Sequence, residues 1–132
     1  MTNPTNYKEF IFNEKIDKDS LTALYEDDFP YIEEIFSITL TQLQPDVAKL
    51  PAAFQSKDIA GLRKLVHKIK PSFGFVGMDA TQALCKSFED ECSEISSQSG
   101  IEDKFNRLYQ EVSDAVKIVE EELTKLKEFN KS

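Results

Sequence analysis

From Ile101 to Leu126 the apolar residues Ile101, Phe105, Leu108, Val112, Ala115, Val119 and Leu126 follow one another at four, three, four, three, four and seven positions. That recurrence is the signature of one face of an α-helix. Three earlier segments repeat it: Ile32, Phe36, Leu43, Val47, Leu50 and Phe54; then Leu62, Val66, Ile69, Phe73 and Val76; then Leu84, Phe88, Cys92 and Ile95. No segment alternates apolar and polar residues with period two for long, so strands are not expected. Four amphipathic helices joined by short turns bury their stripes together as an antiparallel up-down-up-down bundle. The fold class is therefore all-α, a four-helix bundle with a short N-terminal capping helix.

Local signals place the helix ends. Asp28 before Phe29-Pro30 is an N-cap with proline in the first turn, where no amide donor is needed. Pro45 and Pro51 each delete a ladder bond, so the segment from Phe29 to Phe54 is expected to bend or to divide in two. Asp58, closing the polar turn Ser56-Lys57-Asp58, caps a helix from Ile59 that ends around Gly77. Asp79-x-x-Gln82 has the form of a capping box for the next helix, and Ser96 to Gly100 is the clearest loop. Asp19-Ser20 is expected to cap a short helix with Leu21, Leu24 and Tyr25 that covers one end of the core. Phe10, Ile11 and Phe12 tuck an arm over residues 1–15 against the bundle, whose core spans 28–126 of a single domain 1–132. The run Glu120-Glu121-Glu122 reads as a solvated helix face, and Lys125 and Lys127 suit the end of the last helix.

Size and charge bound the function. A chain of 132 residues buries a core without metals or disulfides. Its net charge of -8 argues against nucleic acid or an anionic membrane as partner. There is no apolar run long enough to span a bilayer, and the polar start Met1 to Asn6 is unlike a secretory signal, so a cytoplasmic location is expected. Cys85 and Cys92, seven apart on one helix, lie roughly 10 Å from each other. A disulfide needs less than about 7 Å, and the spacing fails zinc patterns, which leaves two buried free thiols.

Against this acidity stands a basic stretch holding the single histidine, His67. It lies one residue beyond the apolar seam, and helix geometry gives it Ala60, Arg63, Lys64, Lys70, Pro71 and Gly74 as neighbours on the same face. Small residues there let another protein approach the imidazole, and Lys64 and Lys70 would compensate a dianionic group on the ring. Both features suit a histidine that accepts phosphate. An unperturbed imidazole titrates near about 6.5 and is a competent nucleophile at neutral pH.

The string His67-x-x-Lys70-x-Ser72-x-x-x-x-Gly77 resembles the core of the histidine-containing phosphotransfer (HPt) domains of phosphorelays, a likeness that extends from Asp28 to Glu94. The resemblance implies a four-helix phosphocarrier that is not itself an enzyme. His67 Nε2 would attack the acyl phosphate of an aspartate on a response-regulator receiver domain and pass the group to a second receiver. The chain would hold no cofactor or metal of its own, magnesium coming from the receiver, and a sensor or hybrid histidine kinase would be a further partner. Lys70 matches the family's lysine three residues after the histidine, which orients and stabilises the transferred group; Lys64 is a second positive charge inferred from helix geometry. Arg63, Pro71 and Gly74 would meet the docking partner, and a complete core in one chain implies a monomer. The chain departs from the family at Pro71, where glycine is commonest. An interior proline costs about 3 kcal/mol and removes the amide that would bond the carbonyl of residue 67. It either sets how His67 is presented or is a packing feature.

Other readings fit less well. A helical interaction module that has lost relay usually lacks the histidine. The phosphoacceptor helix pair of a histidine kinase has an acidic residue after the histidine and a proline five on, where this chain has Lys68 and a proline at four. A di-iron bundle needs two Glu-x-x-His motifs, and one histidine cannot supply them. Carboxylate acid-base hydrolysis needs two acids in environments that part their pKa values, a setting no Asp or Glu pair here has.

Overall fold

The computed structural model describes residues 9–94 and 100–131, without the side chain of Glu94. Among these residues there are six helices and no strand: α1 Lys18–Tyr25, α2 Phe29–Ala48, α3 Leu50–Gln55, α4 Ile59–Phe75, α5 Asp79–Glu94 and α6 Ile101–Lys131. Helix α2 packs on α4 and α6, α4 on α5, and α5 on α6, which closes the four long helices into a ring, with α3 wedged against α4 and α6. The apolar stripes face inward. Phe36, Leu43, Leu62, Val66, Ile69, Phe73, Cys85, Leu108, Val112, Val119 and Leu126 are all buried in one core.

The proline signals act as expected in part. The helical stretch divides at Lys49, and Pro51 falls in the first turn of α3, where it is tolerated; Pro45 stays inside α2 and Pro71 inside α4. Asp28 and Asp58 are N-caps, accepting from Tyr31 N at 3.2 Å and Gly61 N at 2.8 Å. Two other caps differ from expectation. Asp17, not Asp19, caps α1, its side chain accepting from Ser20 N at 3.2 Å. Asp79 lies within α5, whose first bond runs from Gln82 N to the Met78 carbonyl at 3.0 Å. Its carboxylate instead accepts from the Ser20 hydroxyl and ties α1 to α5.

The reading of Glu120-Glu121-Glu122 as wholly solvated is corrected at Glu122, which is buried. Its carboxylate accepts from Asn13 N at 2.8 Å and pairs with Lys125 at 2.9 Å, and Lys125 also donates to the Ile11 carbonyl at 3.1 Å. The N-terminal arm is thus strapped to α6. Phe10 goes into a cluster with Phe12, Phe29 and Phe129, while Ile11 points outward. Ile95, the loop residues Ser96 to Ser99 and the first eight residues lie outside the described residues.

Gly77 joins the arm to the bundle. Helix α4 stops at Phe75, and Gly77 turns the chain with φ of +74° while Met78 N bonds back to the Phe73 carbonyl at 2.8 Å, the bond of a Schellman-type ending. The Gly77 carbonyl accepts from Asp17 N at 2.7 Å. A Cβ at Gly77 would lie 2.9 Å from Leu21 Cγ and 3.0 Å from Ile16 Cγ2. Gly77→Ala therefore combines a left-handed backbone with a clash and is expected to cost about 2 kcal/mol, read as a lowered urea midpoint with an unchanged slope.

Candidate functional site

Helix α4 buries Leu62, Val66, Ile69 and Phe73, so the residue after Val66 stands at the edge of the packed face. The His67 side chain is accordingly 70% exposed. Its Nδ1 is turned inward, 2.8 Å from Glu89 Oε2 and 3.1 Å from Oε1. Glu89, on α5, has a side chain only 6% exposed. Lys70, one turn after His67, reaches the same carboxylate, with Nζ 3.0 Å from Oε1, and is itself 18% exposed.

One buried carboxylate therefore serves two side chains of α4. Burial pushes the Glu89 carboxyl up, but the hydrogen bonds from Lys70 and His67, with the charges behind them, outweigh it and hold the group below its ordinary value of 4.5. An ionised carboxylate can only accept, so Nδ1 donates to it. In the neutral form of the ring the lone pair then stands on Nε2, which is hydrogen-bonded by none of the described residues on a side chain that is mostly exposed. Cys85 lies close enough to feel both Lys70 and Glu89; burial pushes its thiol up to about 12, and that of Cys92 to about 11. Both cysteines are buried free thiols and, kept protonated, poor nucleophiles.

The other expected site residues lie around this centre. Arg63 and Lys64 are exposed one turn before His67, and the Arg63 charge is felt at Lys86 and Cys92 of α5. Pro71 is exposed one turn after it. Gly74 is half-buried, and a Cβ there would lie 2.9 Å from the side-chain amide of Gln82 on α5. Lys68, on the flank toward α2, pairs with the buried Asp46 at 3.3 Å. Among the described residues no cluster of His, Cys, Asp and Glu could hold a metal.

Residues 34–128 match the sequence profile of the Hpt domain. The chain belongs to the Hpt domain family. No curated protein and no solved structure matches it. Hpt domains carry phosphoryl groups in phosphorelays, as phosphocarriers rather than enzymes of the usual kind, and interact with receiver domains and kinases. The matched span of this Hpt domain includes His67, Lys70 and Glu89. No described helix is long and apolar enough to cross a membrane.

Glu89 is absent from the residues singled out by sequence. Its signal was helical spacing: Glu89 stands four after Cys85, next to Phe88 and three before Cys92, which puts a carboxylate on the apolar face of the helix, and all three neighbours are buried. Leu24, expected to help cover the core, is instead exposed, since only Leu21 of its helix is buried, and the exposed Phe75 was not singled out. Phe75 and Leu24 border one groove with Pro71, Gly74 and Gln82, and a second, of about 350 Å³, with Tyr31, Ile35 and Ile38.

The lowered Glu89 value fixes a sign. Its contribution to stability is fully present above the unfolded value, near 4.5, and is lost as pH falls through the lower folded value. Urea midpoints compared at neutral pH and at about pH 3.5 should fall less in Glu89→Gln than in the wild type, because the variant has no carboxylate to protonate.

Proposed function

We propose that this chain is the histidine phosphotransfer protein of a multistep phosphorelay, with His67 Nε2 taking a phosphoryl group from a receiver-domain aspartate and handing it to another. The observation that carries the reading is an exposed imidazole whose inner nitrogen is bonded to a buried carboxylate. This supports a ring held in one orientation with its nucleophilic lone pair directed at solvent. Phosphoryl transfer needs mainly in-line positioning and charge neutralisation, and the chain's part in it is the nucleophile and its surroundings.

Lys70 shares the Glu89 carboxylate with the ring. Its ammonium has three donors, so it can keep Glu89 while turning another toward a phosphoryl oxygen. Lys64, exposed a turn earlier, adds charge at the rim. The receiver would supply its aspartate and its magnesium, and this chain would act as carrier, with the bundle of 28–126 as the relay unit.

The docking face follows from what is exposed next to His67. Pro71, Gly74 and Phe75 occupy positions four, seven and eight after it, and so continue its side of α4. Phe75 is 51% exposed, and Leu24, Tyr31 and Ile38 surround it as further exposed apolar side chains. A receiver seated there would cover apolar surface from α1, α2 and α4 and still reach Nε2, with Arg63 and Lys64 at its edge.

Mixing the chain with receiver domains charged by a small phosphodonor should give acid-labile, base-stable label on the wild type and none on His67→Gln. No label from any receiver, with the bundle folded, would leave a non-relaying interaction module. Phe75→Ser and Ile38→Asp should each slow receiver transfer about tenfold while leaving direct phosphorylation by phosphoramidate unchanged; equal loss in both assays would remove this face from docking.

A further inference from the structure

The shared carboxylate bears on the phosphorylated state as well as on the free ring. Resting on the relay reading, we propose that Glu89 keeps the Nδ1 proton on His67 after Nε2 has taken the phosphoryl group, making the phosphohistidine a ready donor instead of a lasting store.

The argument begins with the leaving group. When the phosphoryl group passes to a receiver, the P–Nε2 bond breaks and its electron pair returns to Nε2, while a P–O bond forms to a carboxylate oxygen of the receiver's aspartate. If Nδ1 carries a proton throughout, the ring departs as neutral imidazole and no proton moves. If Nδ1 has lost its proton, the ring must depart as imidazolate, a far poorer leaving group. The rate of handing on therefore follows the occupancy of Nδ1, and the contact that governs this occupancy is the 2.8 Å bond to Glu89.

The surrounding charges decide where that proton rests. Lys70 donates to the same carboxylate at 3.0 Å, which favours an ionised Glu89 and leaves the proton on the ring. On α4 the ring also has Arg63, Lys64 and Lys68 as neighbours in sequence, all exposed. From α5 come Glu89 and, farther out, Lys86, which is paired with Asp90 at 2.9 Å. On the α2 side Asp46 is taken up by Lys68 at 3.3 Å and Lys49 at 3.6 Å, so its charge is already neutralised. Among these described contacts Glu89 is the one acceptor bonded to Nδ1. A neutral amide in its place would offer a weaker acceptor and no negative charge.

Because His67 is the single histidine, the ¹⁵N spectrum of the labelled chain contains one imidazole. The full chain, charged with phosphoramidate, would be followed by two-bond ¹H–¹⁵N spectra for the state of Nδ1 and by ³¹P signals for the lifetime of the phosphohistidine. In the folded wild type Nδ1 should lose its proton about one pH unit or more above the same phosphorylated chain unfolded in urea. At about pH 8, Glu89→Gln should lose that advantage, and its phosphohistidine should last about tenfold longer.

Equal Nδ1 titration in folded and unfolded wild type overturns the inference without any variant having to fold. So does a Glu89→Gln phosphohistidine that titrates and decays like the wild type. A folded wild type that takes no phosphoryl group on His67 fails differently: it removes the relay reading, and this inference with it.

Discussion

Burying the carboxylate of Glu89 between α4 and α5 carries a desolvation cost that only well-placed partners can offset. Those partners are Lys70 and His67, one turn apart on α4, and they bind it at 3.0 and 2.8 Å. The contact constrains more than the two side chains. It fixes the rotation of α4 about its axis relative to α5, since either helix turned by a residue would leave a charge buried without a partner. The same rotation sends Val66, Ile69 and Phe73 into the core and sets the outer edge of the imidazole toward solvent.

The N-terminal segment depends on a second buried acid. Glu122 on α6, with Lys125, holds the backbone at Ile11 and Asn13, and Gly77 receives the following turn through its carbonyl and its lack of a side chain. Helix α1 is thereby laid across the end of α4, where Tyr25 donates its hydroxyl to the Phe75 carbonyl at 2.9 Å. Burial of that phenol, and then Tyr31 beside it, pushes its pKa further above the ordinary value of 10.0. The arrangement leaves Leu24 and Phe75 at the surface beside Tyr31 and Ile38, which joins the capping helix to the face that carries His67.

Proline has different consequences at its positions in this chain. Pro51 opens α3 after the break at Lys49, while Pro71 is carried inside α4 between His67 and Phe75. A proline frees the carbonyl four residues back, and for Pro71 that is the carbonyl of His67. The missing bond lies on the exposed side of α4, where water can satisfy the carbonyl, so α4 continues to Phe75. The helix-breaking residue at the proposed phosphoacceptor is thus accommodated by its position on the solvent side.

Much of the fold was legible because helix burial is periodic. The stripe from Leu62 to Val76 and that from Ile101 to Leu126 state in one dimension which face turns inward, and Asp28 and Asp58 act within a single turn, so they needed no partner elsewhere. His67 and Lys70 could be singled out for the same reason, being neighbours on one helix. What the chain order could not express was any contact between distant residues. Asp79 looked like a cap because Ser20, far away in sequence, was not in view; Glu122 looked solvated because Asn13 was not. Glu89 stands 22 positions from His67, and no local rule joins them. The sequence by itself determined an all-helical bundle and an exposed histidine with a lysine one turn on, since both follow from the helical repeat. Only the packing of α5 against α4 decided that a buried carboxylate would hold the two together, because that depends on how one helix is rotated against another.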